Sequence, residues 1–157
     1  MILDDGSVLI ESHLILDYLD SLAAADRALF PRSEPDPRSR LQDRGTRDRY
    51  GRQAVSLFYE KRLHEEVSDV WVTRCRGQIS GVLGVLEADR AARASDYWFG
   101  ERIGHADIAV AVALRFVSEA HPGLMMLADY PALADHAARL EALPAFREIT
   151  QPFIPPT

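Results

Sequence analysis

Cysteine is almost missing from these 157 residues: Cys75 stands alone, so no disulfide can form within the chain, and a lone thiol fits a reducing compartment. Lysine is as scarce, with Lys61 the one lysine among 18 basic residues against 24 acidic ones, for a net charge of −6. The arginines alternate with acids, which argues against a polyanion-binding surface and so against a nucleic-acid partner. No apolar run approaches the ~18 residues of a membrane span, and no basic-then-apolar leader opens the chain. A cytoplasmic protein without a membrane partner is expected. No repeat or low-complexity segment interrupts the sequence, and no metal site is expected. Around Cys75 no histidine stands at i±3 or i±4 to activate the thiol; within the helical pattern Trp71, Cys75, Ile79, Val82, Leu83, Leu86 it reads as a small core hydrophobe.

What is present begins at the first residue. In MILDDGSVLIESHLILDYLD, Ile2-Leu3 and Val8-Leu9-Ile10 flank an Asp-Gly turn and read as two short strands of a β-hairpin. Leu14, Ile15, Tyr18, Leu19 and Leu22 then recur as the stripe of an amphipathic helix. The pair Glu11-Ser12 falls where strand hands over to helix. Backbone N–H groups at that end lack partners and the helix dipole is positive, so the pair can cap the helix, with Ile10 and Ile15 as a hydrophobic staple, or hold an anion. Local pattern leaves both readings open.

Between Leu22 and Arg38, Pro31, Pro35 and Pro37 break any regular element and mark a linker. A charged, helical stretch follows as far as about Glu66, its polar half a solvated face and its end buried through Val55, Leu57, Phe58 and Leu63. A further helix is expected over about 68–93, with Tyr97-Trp98-Phe99 in a loop after it. From Ile108 through Val117 the next helix is apolar on almost every side, the mark of a central buried element. Gly104 lies three residues before Asp107, the spacing of a capping box whose first position has lost its hydroxyl. Asp107 can still reach back to the Gly104 N–H, and Ile103 with Ile108 can close a staple. Pro122-Gly123 ends the helix, and two shorter ones follow around 130–143 and 144–150.

These residues carry a resemblance. DDGSVLIESHLILDYLD resembles the end of the thioredoxin-like domain of cytosolic glutathione transferases, and GERIGHADIAVAVALRF resembles the capping-box segment of their helical domain, with a Pro-rich linker between. The fold it implies is mainly α: a partial thioredoxin-like hairpin plus helix over 1–23, a linker over 24–37 and an all-helical C-terminal domain over 38–157. It further implies glutathione as co-substrate, conjugated to or reducing a small hydrophobic electrophile. Glu11 would accept from the ammonium of the γ-glutamyl end and Ser12 would donate to its carboxylate. The electrophile pocket would lie between the domains near Arg47, Tyr50 and Ala54, while Gly104 and Asp107 carry over as structural cap residues, although the family usually has Ser or Thr at the former. The family's opening β-α-β unit, with its thiol-activating residue and cis-proline, has no counterpart here, so no catalytic residue is assigned. An exposed hairpin edge also leads one to expect a homodimer that shields it or a poorly ordered N-terminus. The alternative is a non-catalytic helical binding or dimerisation module that keeps a vestigial ligand pair.

Overall fold

Apolar residues spaced four, four and three apart dominate two helices: Cys75, Ile79, Leu83 and Leu86 on one, Ala106, Val110, Leu114 and Val117 on the other, every one of them buried. Such a stripe keeps to one side of a 3.6-residue helix and has to find a partner. The computed structural model describes residues 1–29 and 51–155. The chain divides into two compact units, Met1–Pro35 and Asp36–Thr157.

The larger unit holds five helices among its described residues: α2 over 51–63, α3 Asp69–Ala91, α4 His105–Ala120, α5 Pro131–Glu141 and α6 Pro144–Ile149. A single 3₁₀ turn, Leu127–Asp129, precedes α5. Helix α5 packs on both α3 and α4. The main core joins Ala54 and Leu57 of α2 to the two stripes, to Leu133 of α5 and to Trp98 from the loop after α3. A second cluster gathers Ala111, Leu140 and Phe146, with Ile103 and Ile108 of the expected staple packed against it. The tail is anchored as well, since the Phe153 ring lies edge-on to Phe58 at 5.5 Å and to Phe116 at 5.7 Å.

Helix ends follow sequence chemistry. Ser68 caps α3 by accepting the Trp71 N–H at 3.3 Å. Pro131 and Pro144 open α5 and α6, where a missing N–H costs nothing. Glu87 of α3 accepts the Ala132 and Leu133 N–H groups at 2.9 Å each, so one helix supplies the N-terminal cap of another. At the head of α4 the Asp107 carboxylate accepts the Gly104 N–H at 2.8 Å, the reach-back expected from the spacing. Its other oxygen accepts the Trp98 N–H at 2.7 Å.

Trp98 is fully buried. Its indole N–H donates to Asp89 Oδ2 at 2.6 Å and its carbonyl accepts from Arg93 at 2.8 Å, so the loop is bonded to the end of α3 as firmly as to the start of α4. Buried His121, just past α4, stands 2.8 Å through Nε2 from the Ala54 carbonyl. A carbonyl can only accept, which makes Nε2–H the donor and ties the end of α4 to α2.

In the smaller unit, residues 1–29, hairpin and helix take the expected order but the strands are shorter than expected. One antiparallel bridge, Ile2 to Val8, stands where two strands were read. The turn uses up the intervening residues: the Gly6 N–H donates to the Leu3 carbonyl at 3.0 Å, Gly6 takes φ 82, and Asp5 Oδ1 accepts both the N–H and the hydroxyl of Ser7. A three-residue loop, Asp4 to Gly6, closed by a glycine at positive φ takes up most of the residues between the two arms. Helix α1 is Ser12–Leu22, and Asp20 accepts the Leu29 N–H at 2.6 Å where the chain turns back after it.

Two outcomes test this account of the larger unit. Replacing Asp107 by Ala strands two buried N–H donors, at about 1–3 kcal/mol each; denaturant unfolding of D107A should show a loss of about 2–6 kcal/mol, and a loss below about 1 kcal/mol would refute the bridging role. Burial holds the imidazoles of His121 and His136 below the ordinary histidine range in spite of a favourable carbonyl or carboxylate neighbour. The unfolded chain then takes up protons below about pH 6.5 that the folded chain does not. Stability should be complete above that pH and fall on acidification, by up to about 1.4 kcal/mol per pH unit for each histidine. Unfolding midpoints measured across that range should slope less in His121→Gln than in the parent chain.

Candidate functional site

The junction between hairpin and α1 is the most unusual piece of backbone among the described residues. Glu11 occupies the N-cap position with φ 73 and ψ 122, the one positive φ outside glycine there. An L side chain in such a region stores about 1–3 kcal/mol of strain, which is generally found where a ligand is held. Nothing in the residue type announces this conformation, since glycine would be the expected occupant.

Neither expected capping bond forms. Glu11 makes no side-chain cap hydrogen bond, and its side chain is 67 % exposed, 4.0 Å from His13 Nδ1. Ile10 is 72 % exposed, so the staple with Ile15 is not made either. The cause is the left-handed backbone at Glu11, from which the side chain leaves into solvent. Ser12 becomes the first helical residue, and among the described residues nothing occupies its hydroxyl. No acid sits in the first turn of α1 to offset the dipole. The result is an open helix N-terminus with free donors beside a carboxylate. That combination suits a ligand carrying a carboxylate and an ammonium on adjacent atoms: the N–H groups and serine hydroxyl for the anion, Glu11 for the cation.

Arg47 and Tyr50 lie outside the described residues. Ala54 is fully buried in the helical core, where its carbonyl accepts from His121. Gly104 and Asp107 are helix-cap residues, as described above. Cys75 is buried, its thiol 3.6 Å from Gln53 Oε1, and desolvation pushes its pKa up, which leaves it a poor nucleophile. Among the described residues no cluster of three or more His, Cys, Asp or Glu is arranged to hold a metal. The buried histidines and the anchoring role of Trp98 escaped sequence reading. A single histidine in an apolar helix or one tryptophan in a loop has no periodicity to betray it.

A two-stage layout, a hairpin with a strained acid-serine helix entry followed by a bundle headed by a capped buried helix, defines the class of protein. The glutathione S-transferase C-terminal domain family matches residues 69–139. Among solved structures, a glutathione S-transferase from Methylobacterium radiotolerans in complex with glutathione sulfonate is 30% identical, with a TM-score of 0.81 over 99% of this chain and 73% of that one. A glutathione transferase family member from Pseudomonas fluorescens Pf-5 with bound S-(propanoic acid)-glutathione is also 30% identical, with a TM-score of 0.79 over 98% of this chain and 75% of that one. A Methylobacillus flagellatus glutathione S-transferase with glutathione bound shares the fold at 24% identity and a TM-score of 0.82, over 94% of this chain and 72% of that one. No curated protein matches the chain. The chain belongs to the glutathione S-transferase family.

Strain at Glu11 separates stability from binding. In Glu11→Gly the backbone strain is relieved while the carboxylate is lost. Thermal unfolding of the smaller unit should be unchanged or stabilised by up to about 1 kcal/mol. A destabilisation of more than about 1 kcal/mol would mean that the glutamate side chain holds the junction together.

Proposed function

We propose that this chain binds glutathione through Glu11 and Ser12 and serves a transferase that joins glutathione to, or reduces with it, a small hydrophobic electrophile. The observation that carries the reading is the backbone at Glu11, which leaves a carboxylate and an uncapped helix N-terminus side by side. The γ-glutamyl end of glutathione is an amino-acid zwitterion and has the matching pair of charges. Its carboxylate would accept from the Ser12 hydroxyl and the first N–H groups of α1, and its ammonium would donate to Glu11. The solved relatives support glutathione as the co-substrate, since three of those described above carry it or a derivative.

In conjugation the glutathione sulfur gives its electron pair to an electrophilic carbon, the thiol proton leaves to solvent or base, and the electrophile's leaving group departs or its double bond takes up the charge. A thiol with a pKa near 8.5 must first be shifted toward the thiolate. None of the described residues is assigned that role, because the pair at the γ-glutamyl end grips the tripeptide far from its sulfur and Cys75 is buried. A cytoplasmic setting and a homodimer belong to the same reading. The homodimer is favoured by the smaller unit's exposed apolar side chains, Ile2, Val8, Ile10 and Leu22 all being more than 60 % exposed. The same exposure favours, as a second reading, a non-catalytic module that dimerises and keeps the ligand pair without turnover.

Calorimetric titration of the chain with glutathione tests the site. A hydrogen bond to a charged group contributes about 1.5–3 kcal/mol, so Ser12→Ala should weaken binding by about tenfold or more. Unchanged affinity in Ser12→Ala would remove the pair from the site. Turnover of a generic aromatic halide with glutathione would eliminate the non-catalytic reading, whereas dimerisation without turnover would favour it.

A further inference from the structure

A cavity of about 200 Å³ opens in the helical unit, lined by Arg90 at the end of α3, by Arg93 just beyond it, and by Asp135, His136 and Arg139 of α5. Its polar groups do not balance within the protein. His136 is fully buried, and neither of its ring nitrogens has a hydrogen-bond partner. Its Nε2 lies 3.6 Å from Asp107 Oδ1, beyond hydrogen-bond reach, because that oxygen is drawn to the Trp98 N–H at 2.7 Å. The ring stands edge-on to Trp98 with centroids 5.2 Å apart, which satisfies its π-face but not its nitrogens.

Arg90 presents the second imbalance. It is 7 % exposed, donates to the carbonyls of Tyr97 and Ser95 and lies 6.0 Å from the Trp98 ring, and none of these partners is a carboxylate. A buried cation without a counter-ion is expensive to desolvate. The other two guanidiniums are partly engaged, Arg93 in a two-oxygen pairing with Asp89 and Arg139 at 3.6 Å from Asp96 Oδ1. Three guanidiniums and the carboxylate of Asp135 therefore border one space, and His136 lies in its wall with both ring nitrogens closed to solvent. The N-terminus of α5 adds nothing to this, since Glu87 already occupies its first N–H groups.

We propose that this cavity is a binding site for a small oxyanion, a phosphate, sulfate or carboxylate group, that bridges α3 and α5. Arg90 supplies the buried positive charge, and its planar guanidinium matches the oxygen geometry of such groups. His136, closed to solvent in the cavity wall, feels the bound charge without touching the anion. Arg93 and Arg139 close the more exposed side, and Asp135 disfavours a ligand with charge beyond the bound group. The volume admits a tetrahedral oxyanion with a short carbon stem, so both a free inorganic anion and an organic phosphate are candidates.

The test uses the whole chain with inorganic phosphate, sulfate, acetate and glycerol phosphate in turn, at ionic strength matched with sodium chloride. Two quantities are read: the thermal midpoint, and the His136 imidazole signals in ¹H–¹⁵N spectra, assigned by their loss in His136→Gln. At least one anion should raise the midpoint by about 2–4 °C once several-fold above its dissociation constant and shift the His136 signals saturably. Arg139→Gln, at a half-buried position, should weaken that binding by about tenfold. Tighter binding of glycerol phosphate than of inorganic phosphate would identify an organic phosphate as the ligand, and the reverse a free anion. If chloride alone shifts His136 as far, if none of the four anions shifts it, or if Arg139→Gln binds as tightly as the parent chain, the proposal is wrong.

Discussion

The Asp107 carboxylate is the point on which the helical unit turns. One oxygen closes the first turn of α4 on the Gly104 N–H and the other holds the Trp98 N–H. Because Trp98 is at the same time bonded to Asp89 and Arg93, a single buried acid connects the end of α3 to the start of α4. Two backbone donors satisfied by one carboxylate also explain how an acid can lie fully buried in an apolar helix: the bonds replace the water it lost. The imidazole of His136 packs on the far edge of the same tryptophan, so α5 joins the assembly through aromatic contact.

Burial is divided unevenly between the two units. Among the described residues of Met1–Pro35 none is fully buried, and the segment is held by local bonds such as those of Asp5 to Ser7. The helical unit carries every buried side chain of both hydrophobic clusters. A strained residue can persist only where its surroundings fix it, and at Glu11 that support comes from the Ile2 to Val8 bridge on one side and the first turn of α1 on the other. An open helix end, no acid in its first turn and a solvent-facing carboxylate meet at this junction. Membership of the glutathione S-transferase family gives that arrangement its context.

Much of this was readable in the sequence, for reasons that can be named. The stripes of α3 and α4 follow a helical period, and the Gly104 to Asp107 spacing encodes a hydrogen bond three residues long, so both survive translation into three dimensions. The position of Glu11-Ser12 was legible from the change of period at that point. Its conformation was not, because glutamate carries no mark of a positive φ. The hairpin reads as two strands in the sequence because alternation says nothing of how many residues a turn consumes. Trp98, His121 and His136 were overlooked as anchors since their partners, Asp107, Ala54 and the Trp98 ring, come from other elements and leave no local pattern.

The loop between α3 and α4 has one further property. Its fastenings join residues close in sequence: Arg90 to Ser95 and Tyr97, Arg93 to Trp98, Trp98 to Asp89 and Asp107, Gly104 to Asp107. None of these spans more than nine residues, and Arg139 of α5 adds a contact to Asp96 from 43 residues away. The entropy lost in closing a loop rises with its length, so this hook gives up little chain freedom as it forms, and contacts of this kind favour rapid folding. It thereby fastens the end of α3 to the start of α4 through local bonds, whereas the packing of both helices runs through α5, which arrives from farther along the chain.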